Sequence, residues 1–111
     1  PPVTDPAQIQ TAAQPTPDGD GLIACTLQAE PARKLVNFQK IPVLVTVSES
    51  SYHAPYDHCT AKYLRQAGAP VEFIRLQERG IRGNGHMVML EKNNIQVADF
   101  LHGWISTHVK R

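Results

Sequence analysis

The chain has 111 residues, of which 41% are hydrophobic and 19% charged, with a formal net charge of +1. That length suits one small domain, and the near-neutral balance, with no clustered basic face, argues against a nucleic-acid binder. The apolar runs are too short for a transmembrane helix, so neither nucleic acid nor membrane is expected as a partner.

The chain opens Pro1-Pro2, without an initiator Met or a signal-like apolar stretch. This suggests that something has been removed upstream, or that the chain starts at a cut. Six of the nine prolines fall within the first 31 residues. Asp5-Pro6 has the chemistry of a helix start, with Asp at the N-cap and Pro at the first helical position. Residues 14–21, Gln-Pro-Thr-Pro-Asp-Gly-Asp-Gly, are turn formers throughout. Residues 1–30 are therefore expected to be a mostly irregular surface segment or connection, and residues 31–111 an ordered α/β part. Glu30-Pro31 should open a short helix reaching about Asn37.

Ile41-Pro-Val-Leu-Val-Thr-Val-Ser48 is β-branched and almost continuously apolar, as in a strand buried on both faces of a parallel sheet. A helix follows from Pro55 to about Ala67, with Tyr56, Cys59, Tyr63 and Ala67 on one face and Gly68 as its C-terminal stop. Val71-Glu-Phe-Ile-Arg-Leu76 is a second strand, followed by a glycine-rich loop over residues 80–85. The last helix spans about Asn94 to His108, with Val97, Ala98, Leu101, Trp104 and Ile105 as its apolar stripe. Asn93 and Gln96 have capping-box spacing. Strand, helix, strand, loop and helix make one βαβ unit with a covering helix. Two parallel strands cannot satisfy both edges and faces of a sheet alone, so an upstream segment is expected to complete it.

Cys25 and Cys59 are too far apart in sequence for a local zinc motif. They read either as two small buried apolar residues or as a disulfide, which would point to secretion. His53 and Asp57 are four residues apart, yet Pro55 lies between them, and no metal site is expected there.

Gly80-Ile-Arg-Gly-Asn-Gly-His-Met87 carries the chemistry. It follows a strand directly, where α/β folds place functional loops. Its three glycines allow backbone shapes closed to other residues, and a histidine held on such a loop is suited to general-base work. The competing readings are a flexible loop with an incidental histidine and a phosphate cradle. The order Gly-x-x-Gly-x-Gly is not the dinucleotide fingerprint, and no cofactor is expected.

From Ile41 to about Ile105 the sequence resembles the last βαβα unit of the α/β-hydrolase superfamily, strands seven and eight plus the C-terminal helix. Residues 80–94, Gly-Ile-Arg-Gly-Asn-Gly-His-Met-Val-Met-Leu-Glu-Lys-Asn-Asn, resemble a bacterial and fungal esterase-like branch with a Gly-Asn-(Ser/Gly)-His-Met motif. The resemblance implies a serine-type enzyme cleaving a carboxylic ester or lactone, with a nucleophile–His–acid triad in which His86 is the histidine. The Gly-x-Ser-x-Gly elbow is absent: Ser48, Ser50, Ser51 and Ser106 are not so flanked. The nucleophile is thus expected on an upstream chain or segment of the same enzyme, and the complete enzyme leaves room for a homo-oligomer. For the acid, Glu49 stands where many members carry theirs, although the usual Asp is missing. In the esterase-like branch the acid follows strand six, upstream of Pro1, and that location is preferred. Asp57 is a weaker candidate. Tyr52, His53 and Met87 are candidate substrate contacts at the cleft rim. For Met87-Val-Met-Leu90 and for Trp104, core packing is the simpler reading. The competing function is a non-catalytic binding or structural module derived from a hydrolase.

Overall fold

A computed structural model describes residues 1–110. The strands are β1 (Thr11–Ala13), β2 (Thr26–Gln28), β3 (Val43–Val47) and β4 (Val71–Arg75), and the α-helices are α1 (Asp57–Gln66) and α2 (Asn94–His108). Short 3-10 turns lie at Pro6–Gln8, Val36–Phe38, Leu76–Arg79 and Val88–Leu90. None of the described helices is long and apolar enough to cross a membrane. The chain divides into two compact units. One comprises residues 1–45 and 55–73, the other residues 46–54 and those from Ile74 onward.

In the first unit β1 and β2 form an antiparallel pair with Thr11 opposite Gln28 and Ala13 opposite Thr26. The turn-forming stretch 14–21 lies between them. Asp5 caps the opening 3-10 turn, its carboxylate accepting from the Ala7 amide, and Gln8 closes a capping box. Helix α1 packs on β2, and two glutamines replace a further strand. Gln66 Oε1 accepts from Gln28 N–H at 2.9 Å, and Gln66 Nε2 donates to Gln28 O at 2.9 Å. Gln28, itself buried, repeats the device on Arg33: its Oε1 accepts from Arg33 N–H at 2.9 Å and its Nε2 donates to Arg33 O at 3.0 Å. A side-chain amide has the donor and acceptor of a peptide group, so each satisfies edge backbone that would otherwise be costly to bury.

These bonds explain a departure from the pattern-based expectation. Pro31 does not open a helix to Asn37; only Val36–Phe38 forms a helical turn, of 3-10 type. Both polar backbone groups of Arg33 are taken by Gln28. Lys34 donates to Pro1 O, and its carbonyl accepts from Val3 N–H. Lys34 thus pairs with Pro2 in a strand-like bridge, and its groups are spent on partners remote in sequence. The Cys25–Cys59 pair is a disulfide joining the residue before β2 to α1 across 34 positions. Helix α1 begins at Asp57 rather than Pro55, and its buried residues are His58 and Ala61. It ends in a Schellman motif: Ala69 N–H donates to Leu64 O and Gly68 N–H to Arg65 O. Gly68 has φ +93°, a left-handed conformation that favours glycine, and a Cβ there would crowd the end of the Gln39 side chain at 3.0 Å.

Strands β3 and β4 form a second two-stranded sheet. Val43 N–H donates to Pro70 O, and Thr46 Oγ1 donates to Ile74 O at 2.9 Å. Partners advance together along both strands, so the pair is parallel, with α1 as the crossover. A mixed α/β fragment of βαβ order followed by a helix is therefore present.

The second unit has its core in Leu76, Ile81 and Val97, with Val88, Phe100 and Leu101 packed against it. The stripe of α2 is covered only in part. Val97 is buried and Leu101 half-buried, whereas Ala98 is exposed and Ile105 keeps 52% of its surface open. Trp104 is half-buried and stacks on His108, ring centroids 4.2 Å apart. Asn93 is the N-cap of α2 by position, but its side chain makes no capping bond, so the Asn93–Gln96 capping box does not form. The side chain is engaged elsewhere, in the loop that carries His86.

Candidate active site

The loop after β4 is held through most of its backbone. A 3-10 turn, Leu76–Arg79, ends at Gly80, and Ile81 then drops into the core. Gly83 has φ +77°, a conformation that disfavours any side chain, and its N–H donates to Glu49 Oε1 at 3.2 Å. Asn84 O accepts from Ser50 N–H at 2.9 Å. Gly85 N–H donates to Glu91 Oε1 at 2.9 Å, and Gly85 O accepts from Ser48 Oγ at 2.6 Å. The Asn84 side chain is buried and exchanges two hydrogen bonds with the Asn93 amide, at 2.6 and 2.9 Å. Every polar group on Asn84–Gly85 that these bonds engage is paired with a residue just after β3 or just before α2. A loop of small residues is fixed in this way without an apolar interior of its own.

His86 emerges from this scaffold exposed to solvent. The tripeptide Ser51-Tyr52-His53 surrounds its ring. Ser51 Oγ lies 3.0 Å from Nδ1. The His53 ring stacks on it at 4.2 Å and 18°, and the Tyr52 ring is tilted at 4.7 Å. Ser51 is 5% exposed, whereas Tyr52 is 67% exposed. His86, Tyr52 and His53 are thus brought together at one place. Met87 follows with its side chain 54% exposed, and Met89 and Leu90 are also open rather than packed.

Glu49 stands beside the same loop on different partners. Besides the Gly83 amide, its Oε2 meets Arg82 Nη2 at 2.7 Å. The position at His86 Nδ1 belongs to the Ser51 hydroxyl. Asp57 lies at the start of α1, in the first unit. Asn84 belongs to the motif the sequence displays, but sequence reasoning had no means of singling out Ser51 or Glu91. A lone serine or carboxylate carries no spacing signal, and each acquires its partner only through folding.

A separate cluster lies in the first unit. His58, 6% exposed, places Nε2 at 3.4 Å from Cys25 Sγ, 3.6 Å from Cys59 Sγ and 3.5 Å from Asp18 Oδ2. These residue types are metal ligands in general, but the two sulfurs are bonded to each other and neither offers a thiolate. Asp18 is chiefly engaged by Lys62, whose Nζ donates to both carboxylate oxygens at 2.9 Å. That hydrogen bond, with the charges of Lys62 and His58, outweighs partial desolvation and holds the Asp18 carboxyl below its ordinary value of 3.8.

No family model matches the sequence, and no solved structure matches it. Over 97 residues, 87% of the chain, it is 50% identical to a protein described as "Probable secreted lipase phiG" from Fungal sp. (strain ATCC 74256). The chain spans 26% of that protein's length. The chain is therefore similar to part of a protein described as a lipase.

Proposed function

We propose that this chain is the C-terminal βαβα part of a serine-type α/β-hydrolase and supplies the catalytic histidine, His86, for cleavage of a carboxylic ester or lactone. The observation that carries the reading is the placement of His86. It sits on the loop after the second strand of a parallel pair, exposed to solvent, on a backbone pinned by Glu49, Ser50, Glu91 and Ser48. A general base needs this combination of open ring and fixed orientation. The similarity to a secreted lipase supports ester chemistry, and the 26% coverage of that protein leaves ample sequence to carry a nucleophile elbow. The Cys25–Cys59 disulfide fits an oxidising, extracellular setting.

In the reaction, His86 Nε2 accepts the proton of the nucleophile's hydroxyl as that oxygen attacks the ester carbonyl. The imidazolium returns the proton to the departing alkoxide, leaving an acyl-enzyme. His86 then deprotonates a water, which releases the acid and restores the nucleophile. The triad's acid is assigned to the upstream segment, because the Glu49 carboxylate is committed to Arg82 and the Gly83 amide. Tyr52, His53 and Met87 lie against or beside His86, where the acyl or alcohol group of a substrate passes. The partners are accordingly the upstream segment with the nucleophile and a small-molecule ester.

The test is ester hydrolysis by the complete enzyme carrying His86→Ala. Turnover should fall by about 10^4-fold or more. Unchanged turnover would overturn the reading and leave a non-catalytic binding or structural module in its place. Glu49→Gln checks the placement of the acid: a loss as deep as that of His86→Ala would move the acid to Glu49.

A further inference from the structure

We infer that Ser51 is a positioning residue for His86, holding the imidazole with its proton on Nδ1 so that Nε2 is free to act as base; this rests on the function proposed above.

The geometry around the hydroxyl is specific. Ser51 is buried, and its backbone is fixed on both sides, its N–H donating to Ser48 O and its carbonyl accepting from Ala54 N–H. Its Oγ accepts from His53 N–H at 3.0 Å and lies 3.0 Å from His86 Nδ1. A serine oxygen has two acceptor sites and one proton. With one acceptor site filled by His53 N–H, the second is available to a proton on Nδ1.

Catalysis demands that arrangement. If Oγ donated to Nδ1, the ring proton would lie on Nε2, and Nε2 could not accept from the nucleophile. Once the proton has moved to His86, both ring nitrogens are donors, and Nδ1–H requires an acceptor in either half of the reaction. The Ser51 oxygen, already accepting from Nδ1–H, meets this need with no heavy atom displaced. It then has its own proton to offer to a further acceptor, such as the triad's acid, which links the ring to a carboxylate through one hydroxyl. The same tripeptide fixes the ring plane, since His53 stacks on its face.

The test is kinetic, on the complete enzyme, with Ser51→Ala, Ser51→Thr and the double variant Ser51→Ala/His86→Ala. Ser51→Ala should lower kcat about tenfold or more with little change in KM, the effect of losing one hydrogen bond to a charged ring. Its acid limb of activity should also move to lower pH, because the protonated ring loses a hydrogen-bond acceptor. Ser51→Thr, which retains the hydroxyl, should recover most of kcat. In the His86→Ala background, Ser51→Ala should have no further effect. An unchanged kcat and pH limb in Ser51→Ala, while His86→Ala abolishes turnover, would overturn this inference and leave the function standing. Loss of kcat without movement of the limb, unrescued by Thr, would reduce Ser51 to a merely structural residue and overturn it as well. Full turnover in His86→Ala would instead defeat the functional reading itself.

Discussion

The region around β2 and α1 and the region around His86 solve the same problem by different means. Both contain much backbone and few large buried side chains. Around β2 and α1 the buried apolar residues are small, Cys25, Ala32, Ala61, Ala67 and Ala69. Order there rests on a covalent bond and on glutamine amides standing in for peptide groups. Around His86 a true apolar nucleus exists in Leu76, Ile81 and Val97, and the loop is tied by hydrogen bonds from residues flanking β3 and α2. Cross-links suit a region that only has to hold its shape. A loop that presents a base needs adjustable hydroxyl and carboxylate partners, since its ring must change protonation state within each turnover.

The largest effect should come from breaking the covalent link. In a Cys25→Ser/Cys59→Ser variant, the unfolded chain regains the freedom of a loop spanning 34 positions, which corresponds to about 3–4 kcal/mol in the chain-entropy model. Denaturant titration of the two forms measures it. A loss below about 1 kcal/mol would mean that the glutamine pairings hold this region without the disulfide.

A smaller effect on stability, but a clearer one on activity, is expected at Glu91. Its carboxylate accepts the Gly85 amide, one residue before His86. Glu91→Ala leaves that amide without its acceptor and should cost about 1 kcal/mol or slightly more. Because the freed group adjoins His86, ester turnover by the complete enzyme should fall more than stability does, by about tenfold. Glu91→Gln keeps an acceptor oxygen and should retain most of the turnover. If Glu91→Ala is as active as the parent, the loop is held by Ser48, Ser50 and the Asn84–Asn93 pair alone.

How much of this was legible beforehand follows from where each signal resides. The β-branched run at 43–47, the amphipathic stretch ending at Gly68 and the stripe of α2 are local patterns, and the corresponding elements lie within a residue or two of their expected spans. The Asp5-Pro6 cap is equally local and forms as its chemistry dictates. Residues 31–37 looked helical because Pro31 suits an early helical position. Of the groups that prevent a helix, Pro1 is remote in sequence, and the Gln28 amide, although near, meets Arg33 through a side-chain pairing that leaves no periodic pattern. Each residue of Thr11–Ala13 is exposed and the stretch shows no alternation, so its pairing with β2 had no signature. His86 stood out through its glycines and their resemblance to a known motif. Asn93 had capping-box spacing, yet the buried Asn84 amide claims its side chain, and a buried polar group without a partner costs more than an open cap. Ser51 and Glu91 were invisible for a plainer reason: they act through one atom each, at distances set by the fold.

The smallest expected effect is a pH dependence confined to the cross-linked region. Two carboxylates there titrate below their ordinary values. Asp18 is lowered chiefly by the hydrogen bonds from Lys62, and Glu30 by those from Gln66 Nε2 at 2.7 Å and Ala32 N–H at 2.8 Å. A carboxyl whose pKa is lower when folded contributes stability above its unfolded value, 3.8 for Asp18 and 4.5 for Glu30. That contribution is lost as pH falls through the lower, folded value. Stability should therefore be flat with respect to these two groups near neutrality and decline only below pH of about 4. Both are solvent-accessible, so screening keeps the decline small. Denaturation midpoints at descending pH, compared with those of Asp18→Asn/Glu30→Gln, isolate it. The variant should be the less stable protein near neutral pH, and the gap should close in acid. A gap that stays constant, or widens as pH falls, would show that these carboxylates contribute through shape rather than charge. The disulfide would then carry this region with the glutamine amides alone.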